Sequence, residues 1–198
     1  MSTGARSEQK GMTPVAAVRR IDWGSEPDPA TAGREGACAN LDTCVMAHYS
    51  TRPATEDDLG VLRDLYRRSS LSNENDRANL LATPEALQWA GDGIVERCTR
   101  VAVDEDGTIL GFATAVDIKG GQELEDLFVD PDAMRQGVAT QLVEDAVSEA
   151  ARSGVPWIEV TGNQHAAEFY ASAGFVQVRD EQTLFGPAPR LRRDLSAT

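Results

Sequence analysis

The stretch Leu127-Phe128-Val129-Asp130-Pro131-Asp132-Ala133-Met134-Arg135-Gln136-Gly137-Val138-Ala139-Thr140-Gln141-Leu142 constrains the fold more than any other. An apolar strand runs into a proline turn, and a helix starts a few residues later. Val138, Leu142, Ala146, Val147 and Ala150 recur at helical spacing, and Gly154 is a natural C-terminal cap. A strand feeding a helix this directly belongs to a layered α/β fold. Gly137 and Ala139 are small, so a ligand can approach the backbone there. The first-turn amides of a helix lack internal acceptors and sit at the positive end of its dipole, which suits a pyrophosphate. Rival phosphate loops fail on detail. Val138-Ala139 stand where a P-loop needs Lys-Ser/Thr, and the three spaced glycines of a dinucleotide fingerprint are missing.

The flanks supply the remaining layers. Tyr49 to Arg52 reads as a short strand closed by Pro53. Thr55-Glu56-Asp57-Asp58 resembles a capping box, and Leu59, Leu62, Leu65 and Tyr66 predict a helix to Arg68. Ser69 to Asn75 reads as a polar loop. A second helical region over 77–89 is broken near Pro84. Three strands follow, Thr99 to Asp104, Thr108 to Ile118 and Glu123 to Val129, with turns at Asp104–Gly107 and Lys119–Gly121. After the long helix come a strand at Trp157–Thr161, a short helix ended by Gly174, and strands at Phe175–Arg179 and Arg190–Leu195. The order predicts a mixed α/β domain.

Composition narrows the function classes. The net charge of −13 over 198 residues disfavours nucleic acid and anionic membrane surfaces. No apolar run approaches the ~20 residues of a spanning helix. Three cysteines, Cys38, Cys44 and Cys98, do not make a disulfide framework, and two isolated histidines, His48 and His165, offer little for a metal site or a catalytic triad. Residues 1–45 are rich in Gly, Ala, Ser, Thr and Pro without apolar periodicity. They read as a flexible extension or as the product of a start placed too far upstream, with the domain over 46–198.

Val129-x-Pro131, then Arg135-Gln136-Gly137-Val138-Ala139 and the Leu142 helix, resembles the acetyl-CoA motif of the GNAT-type (GCN5-related) N-acetyltransferases. A second block, Asn163-Gln164-His165-Ala166-Ala167-Glu168-Phe169-Tyr170-Ala171-Ser172-Ala173-Gly174-Phe175, resembles that family's Asn…Ala…Phe-Tyr…Gly-Phe segment, in the expected order. The resemblance covers nearly the whole domain. One position departs from the pattern: Met134 stands where the family has Arg or Gln, with Arg135 one residue later.

The resemblance implies a mixed, mostly antiparallel sheet flanked by helices, and direct acetyl transfer from acetyl-CoA to an amine. It implies that Met134, Arg135, Gln136, Gly137, Val138, Ala139 and Thr140 surround the pyrophosphate. The backbone of Leu127, Phe128 and Val129 would pair with the pantetheine arm, which Asn163 helps to hold. Tyr170 matches the position of the general acid that also meets the cofactor, and a tyrosine keeps its proton at neutral pH. Glu159 and Glu125 are rival general bases. Ser69 to Arg77, Trp89 and the Phe185–Arg190 loop are candidates for the acceptor pocket. The expected partner is an amine-bearing small molecule or peptide, in the cytoplasm, with no metal. Homodimers are common in the family. The alternative is a non-catalytic acyl-CoA-binding sensor on the same fold.

Overall fold

The computed structural model describes residues 49–72, 74–162, 166–183 and 186–195. The strands are β1 (Ser50–Pro53), β2 (Thr99–Val103), β3 (Ile109–Ile118), β4 (Gly121–Val129), β5 (Trp157–Thr161), β6 (Val176–Thr183) and β7 (Gly186–Asp194). The helices are α1 (Leu59–Ser72), α2 (Glu74–Ala82), α3 (Asp92–Val95), α4 (Val138–Arg152) and α5 (Ala167–Ser172). The strands form one sheet in the order β1-β2-β3-β4-β5-β7-β6. Every neighbouring pair is antiparallel except β4 and β5, so the expected mixed, mostly antiparallel sheet is present.

The two faces of the sheet carry separate cores. On one, α4 lays Val138, Ala139, Leu142, Val143, Ala146, Val147 and Ala150 against Ala102, Ala113, Leu124, Leu127, Ile158 and Val160. On the other, Leu62, Leu65 and Tyr66 of α1 meet Val101, Phe112 and Phe128, with Trp89 and Ile94 closing the layer. Gly111 on β3 lets α4 sit close: a Cβ there would lie 2.7 Å from the Phe128 carbonyl oxygen and 3.2 Å from both Leu142 and Val138. The seat of the α4 N-terminus is thus set by a missing side chain.

Local chemistry shapes the entry to α1. The Asp58 carboxylate accepts from the Thr55 amide at 2.8 Å and the Thr55 hydroxyl at 3.0 Å, while Arg52 grips it through two nitrogens at 2.7 and 2.9 Å. This is the carboxylate half of the expected box, joined to β1 by an arginine fork.

Two readings change and one short helix is added. The predicted loop after Arg68 is helical to Ser72, because Ser69 and Ser70 are buried on the inner face of α1 and no breaker intervenes. The four-residue helix α3 had no periodic signal. The predicted loop at 186–190 is the start of β7, despite Pro187 and Pro189. The β5 register begins at Arg190, and beyond it the Gly162 amide donates to the Pro189 carbonyl at 3.0 Å, so the prolines supply an acceptor on that side and their missing N–H groups cost no β5 rung. No helix among the described residues is long and apolar enough to cross a membrane.

Candidate active site

The parallel pairing of β4 with β5 is short. It joins Gln122 to Ile158 and Glu123 to Glu159, and past that rung the strands part. Two residues further, at Glu125, the β3–β4 register slips by a bulge. The bulge inverts the alternation, so that Leu124 and Leu127, three apart, both enter the α4-side core. Beyond it, Leu127, Phe128 and Val129 run along an arm of β4 that has no β5 rung beside it. A backbone edge of this kind can pair with an extended, amide-bearing ligand.

The arm ends at the glycine turn. Pro131–Ala133 forms one 3₁₀ turn, with the Asp130 carboxylate accepting from the Asp132 amide at 3.1 Å. Arg135 and Gly137 then take left-handed backbone conformations, at φ 58° and 90°. Gly137 is the N-cap residue of α4, and no side chain caps the helix. The amides of Val138, Ala139 and Thr140 therefore lack an acceptor from a capping side chain, as a phosphate cradle requires. A Cβ built on Gly137 would meet nothing within 4 Å, so the space over the cradle is open. It belongs to a cavity of about 240 Å³ lined by Val129, Ala133, Met134, Arg135, Gly137, Ala139 and Thr140. These residues fit a pyrophosphate with an apolar continuation. Met134, the departure from the family pattern, is half-buried against the α4-side core while it lines this cavity. Gln136 points elsewhere: it accepts a hydrogen bond from the Tyr49 hydroxyl at 3.2 Å and donates to the Asp132 carbonyl at 2.9 Å, tying the start of β1 to the turn.

The expected acid and bases differ sharply in environment. Tyr170 on α5 is 4% exposed, with Phe169 and Phe175 at 5.1 and 5.6 Å between ring centroids. Burial pushes its pKa up, so it stays a protonated donor. Glu125 is exposed at the bulge. Glu159, one strand over, is 1% exposed. Burial alone would raise its pKa, but hydrogen bonds from Arg190, Arg192 and Arg179 outweigh it and hold the carboxyl down at about 2. Arg190 donates at 2.7 Å, Arg192 at 2.8 and 2.5 Å, and Arg179 at 3.3 and 3.4 Å. A carboxylate so held is a weak proton acceptor at neutral pH. Asn163 and Phe185 lie outside the described residues, as do Cys38, Cys44, His48 and His165. Burial raises the Cys98 thiol to about 11, which keeps it from acting as a nucleophile. Among the described residues no cluster is arranged to hold a metal ion.

Two features escape a reading by motif. The Trp89 indole N–H donates to Asp126 at 2.9 Å inside the α1-side layer. Arg190 bridges β5 and β4 through Glu159 and Glu123. Neither pair has a sequence spacing that could announce it, since its members meet only through the sheet.

A family model described as "Acetyltransferase (GNAT) domain" matches residues 84–186. A curated relative, the [ribosomal protein bS18]-alanine N-acetyltransferase of Escherichia coli K12, is 32% identical over 83 residues. That match covers 40% of this chain and 56% of the relative, so the chain spans about half the length of the curated relatives it matches. Two solved structures show the same fold. The PaiA N-acetyltransferase of Thermoplasma acidophilum, in complex with coenzyme A, superposes with a TM-score of 0.60 at 17% identity, covering 74% of this chain and 99% of that one. The ribosomal-protein-S18-alanine N-acetyltransferase of Escherichia coli gives 0.58 at 18% identity, covering 76% and 96%.

Proposed function

This chain belongs to the GNAT acetyltransferase family, and from that premise we propose that it transfers the acetyl group of acetyl-CoA directly to an amine. The observation that carries the reading is the arm of β4 that runs without a β5 rung from the fork towards the uncapped N-terminus of α4. Acetyl-CoA, the donor of the family, supplies an activated thioester carbonyl. The amides of Val138, Ala139 and Thr140, with Arg135 beside them, hold the pyrophosphate. The main chain of Leu127, Phe128 and Val129 aligns the pantetheine, and Met134 adds an apolar wall.

Transfer needs two proton movements and no covalent enzyme intermediate. The amine nitrogen forms a bond to the carbonyl carbon as the carbon–sulfur bond breaks. Glu125, exposed at the bulge, takes the proton that the amine loses, directly or through one water. Tyr170 gives its proton to the departing thiolate. Glu159 is assigned no proton, because three arginines already occupy it.

The acceptor is an amine on a small molecule or a peptide. A protein alanine amine is the acceptor named for the bacterial relative, and that supports including peptide N-termini. The domain is proposed to span 46–198. A cytoplasmic location is proposed with it, in keeping with the free thiol of Cys98.

The test joins acetyl-CoA titration to thiol release over a panel of peptide N-termini and small amines. Binding with turnover on some amine is expected, and Glu125→Gln should lower turnover by ~100-fold or more. Binding without thiol release across the panel would instead favour an acyl-CoA sensor. No binding by folded protein would end the transferase reading.

A further inference from the structure

Arg190 is 5% exposed, and its guanidinium spans three strands. It projects from β7. Its Nε donates to Glu159 Oε2 at 2.7 Å on β5. Its Nη1 donates to Thr161 Oγ1 at 2.6 Å, also on β5, and to Glu123 Oε1 on β4. Glu123 and Glu159 are Cα partners at the last rung before the strands part. One buried guanidinium therefore bonds both arms of the fork at its apex. Glu159 is braced from the far side by Arg192, whose guanidinium lies 4.2 Å over the Trp157 ring, and by Arg179 on β6.

The setting makes this cluster more than surface decoration. Glu123, Glu159 and Arg190 alternate with Leu124, Ile158 and Leu191, which all face the α4-side core. The ion cluster thus lies on the α1 side of the sheet. The apolar core on that side takes side chains from Ala54, α1, β2, β3, β4 and the Trp89–Ile94 segment, and none from β5, β6 or β7. Ion pairs occupy the position that apolar packing holds under α1. A buried ion pair is a poor source of net stability, because desolvation offsets most of the attraction. It is a good source of fixed geometry, since a planar guanidinium satisfies two carboxylates only at defined angles and distances.

We infer that Arg190 is a positioning residue that sets the opening of the β4–β5 fork, by holding Glu123 on one arm and Glu159 with Thr161 on the other. The inference rests on the fork being the acyl-pantetheine site. The fork angle fixes the distance between the β4 edge and the acid on α5. The α4 cradle stands apart from it, at the far end of β4. Loss of the bridge should therefore disturb the pantetheine end of the ligand and spare the pyrophosphate end.

The test is calorimetric titration of the full chain with two probes, acetyl-CoA and adenosine 3′-phosphate 5′-diphosphate, which lacks the pantetheine arm. The variants are Arg190→Gln, Arg190→Lys and Glu123→Ala. Glu123→Ala is the milder change: it removes the β4 acceptor and leaves the buried Arg190–Glu159 pair intact. All three should lose acetyl-CoA affinity by ~10- to 100-fold while the nucleotide fragment binds as before. At saturating acetyl-CoA kcat should also fall, and Arg190→Lys should not rescue it, because an ammonium cannot reproduce the planar bridge. Unchanged acetyl-CoA affinity in Glu123→Ala would overturn the inference. So would a parallel loss of both probes in that variant while it stays folded. Failure of the wild type to bind either probe would overturn the fork as a CoA site, and this inference with it.

Discussion

Trp89 donates its indole N–H to Asp126 at 2.9 Å, and both side chains are more than nine-tenths buried. The bond ties the segment before α3 to β4 one residue past the bulge. The Trp89 ring also packs on Phe112 at 4.7 Å between centroids. Trp89→Phe keeps an aromatic ring but removes one donor from the buried Asp126 side chain. Stability should fall by ~1–3 kcal/mol, read as a lower urea midpoint. Turnover should fall more than acetyl-CoA affinity, because Asp126 neighbours the bulge and not the α4 cradle. An unchanged midpoint would show that the bond contributes nothing net.

At the cradle, Gly137 has φ 90° and open space where a Cβ would stand. A side chain there meets no wall of the protein but pays the strain of a left-handed backbone, ~1–2 kcal/mol. Gly137→Ala should lower thermal stability slightly. It should weaken acetyl-CoA binding by more than the strain alone accounts for, since the new methyl group stands over the pyrophosphate amides. Gly137→Val should be worse on both counts. Titration calorimetry beside thermal melts separates the two effects, and equal affinity in all three proteins would move the phosphate site elsewhere.

Tyr170 serves two roles that one substitution can split. Its ring fills the α4-side core beside Phe169 and Phe175, and its hydroxyl is the proposed proton donor. Tyr170→Phe preserves the ring. The melting temperature and acetyl-CoA affinity should stay close to wild type while kcat falls by ~100-fold or more. Thiol release under saturating donor measures it. A joint loss of affinity and stability would show the residue to be packing alone.

The legibility of this chain follows the range of the interactions. The α4 stripe, the turns at Asp104–Gly107 and Lys119–Gly121, and the Gly137 cradle depend on neighbours within a few residues, and all can be read along the sequence. The end of α1 is not legible because Ser69 and Ser70 look like loop chemistry until their burial is known. The start of β7 is not legible because Pro187 and Pro189 mark a loop unless their missing N–H groups face a side without a β5 rung. Glu159 shows the same limit at the site. The resemblance implies a general base at Glu159, whereas its arginine partners lie 20 to 33 residues away. Only the β5–β7–β6 order brings them over it.

Those partners set a pH dependence whose sign can be worked out. The Glu159 carboxyl lies at about 2 in the fold against a usual 4.5, and Arg52 with Thr55 holds Asp58 at about 2 against 3.8. Both folded values are depressed. As pH falls, the unfolded chain therefore takes up protons before the folded one does. The stabilisation is fully present above the usual values, declines from about pH 4.5, and is lost as pH falls through about 2. Glu159→Gln changes this in two ways. Near pH 7 it leaves buried Arg190 without its β5 counter-charge, which should cost ~3–5 kcal/mol. Between pH 4.5 and 2 the variant should lose stability less steeply than wild type, because one depressed carboxyl no longer titrates. Urea midpoints across pH 2–7 measure both. An identical acid slope in the two proteins would mean that Glu159 titrates in the fold as it does in the unfolded chain, and the arginine cage would then be no electrostatic trap.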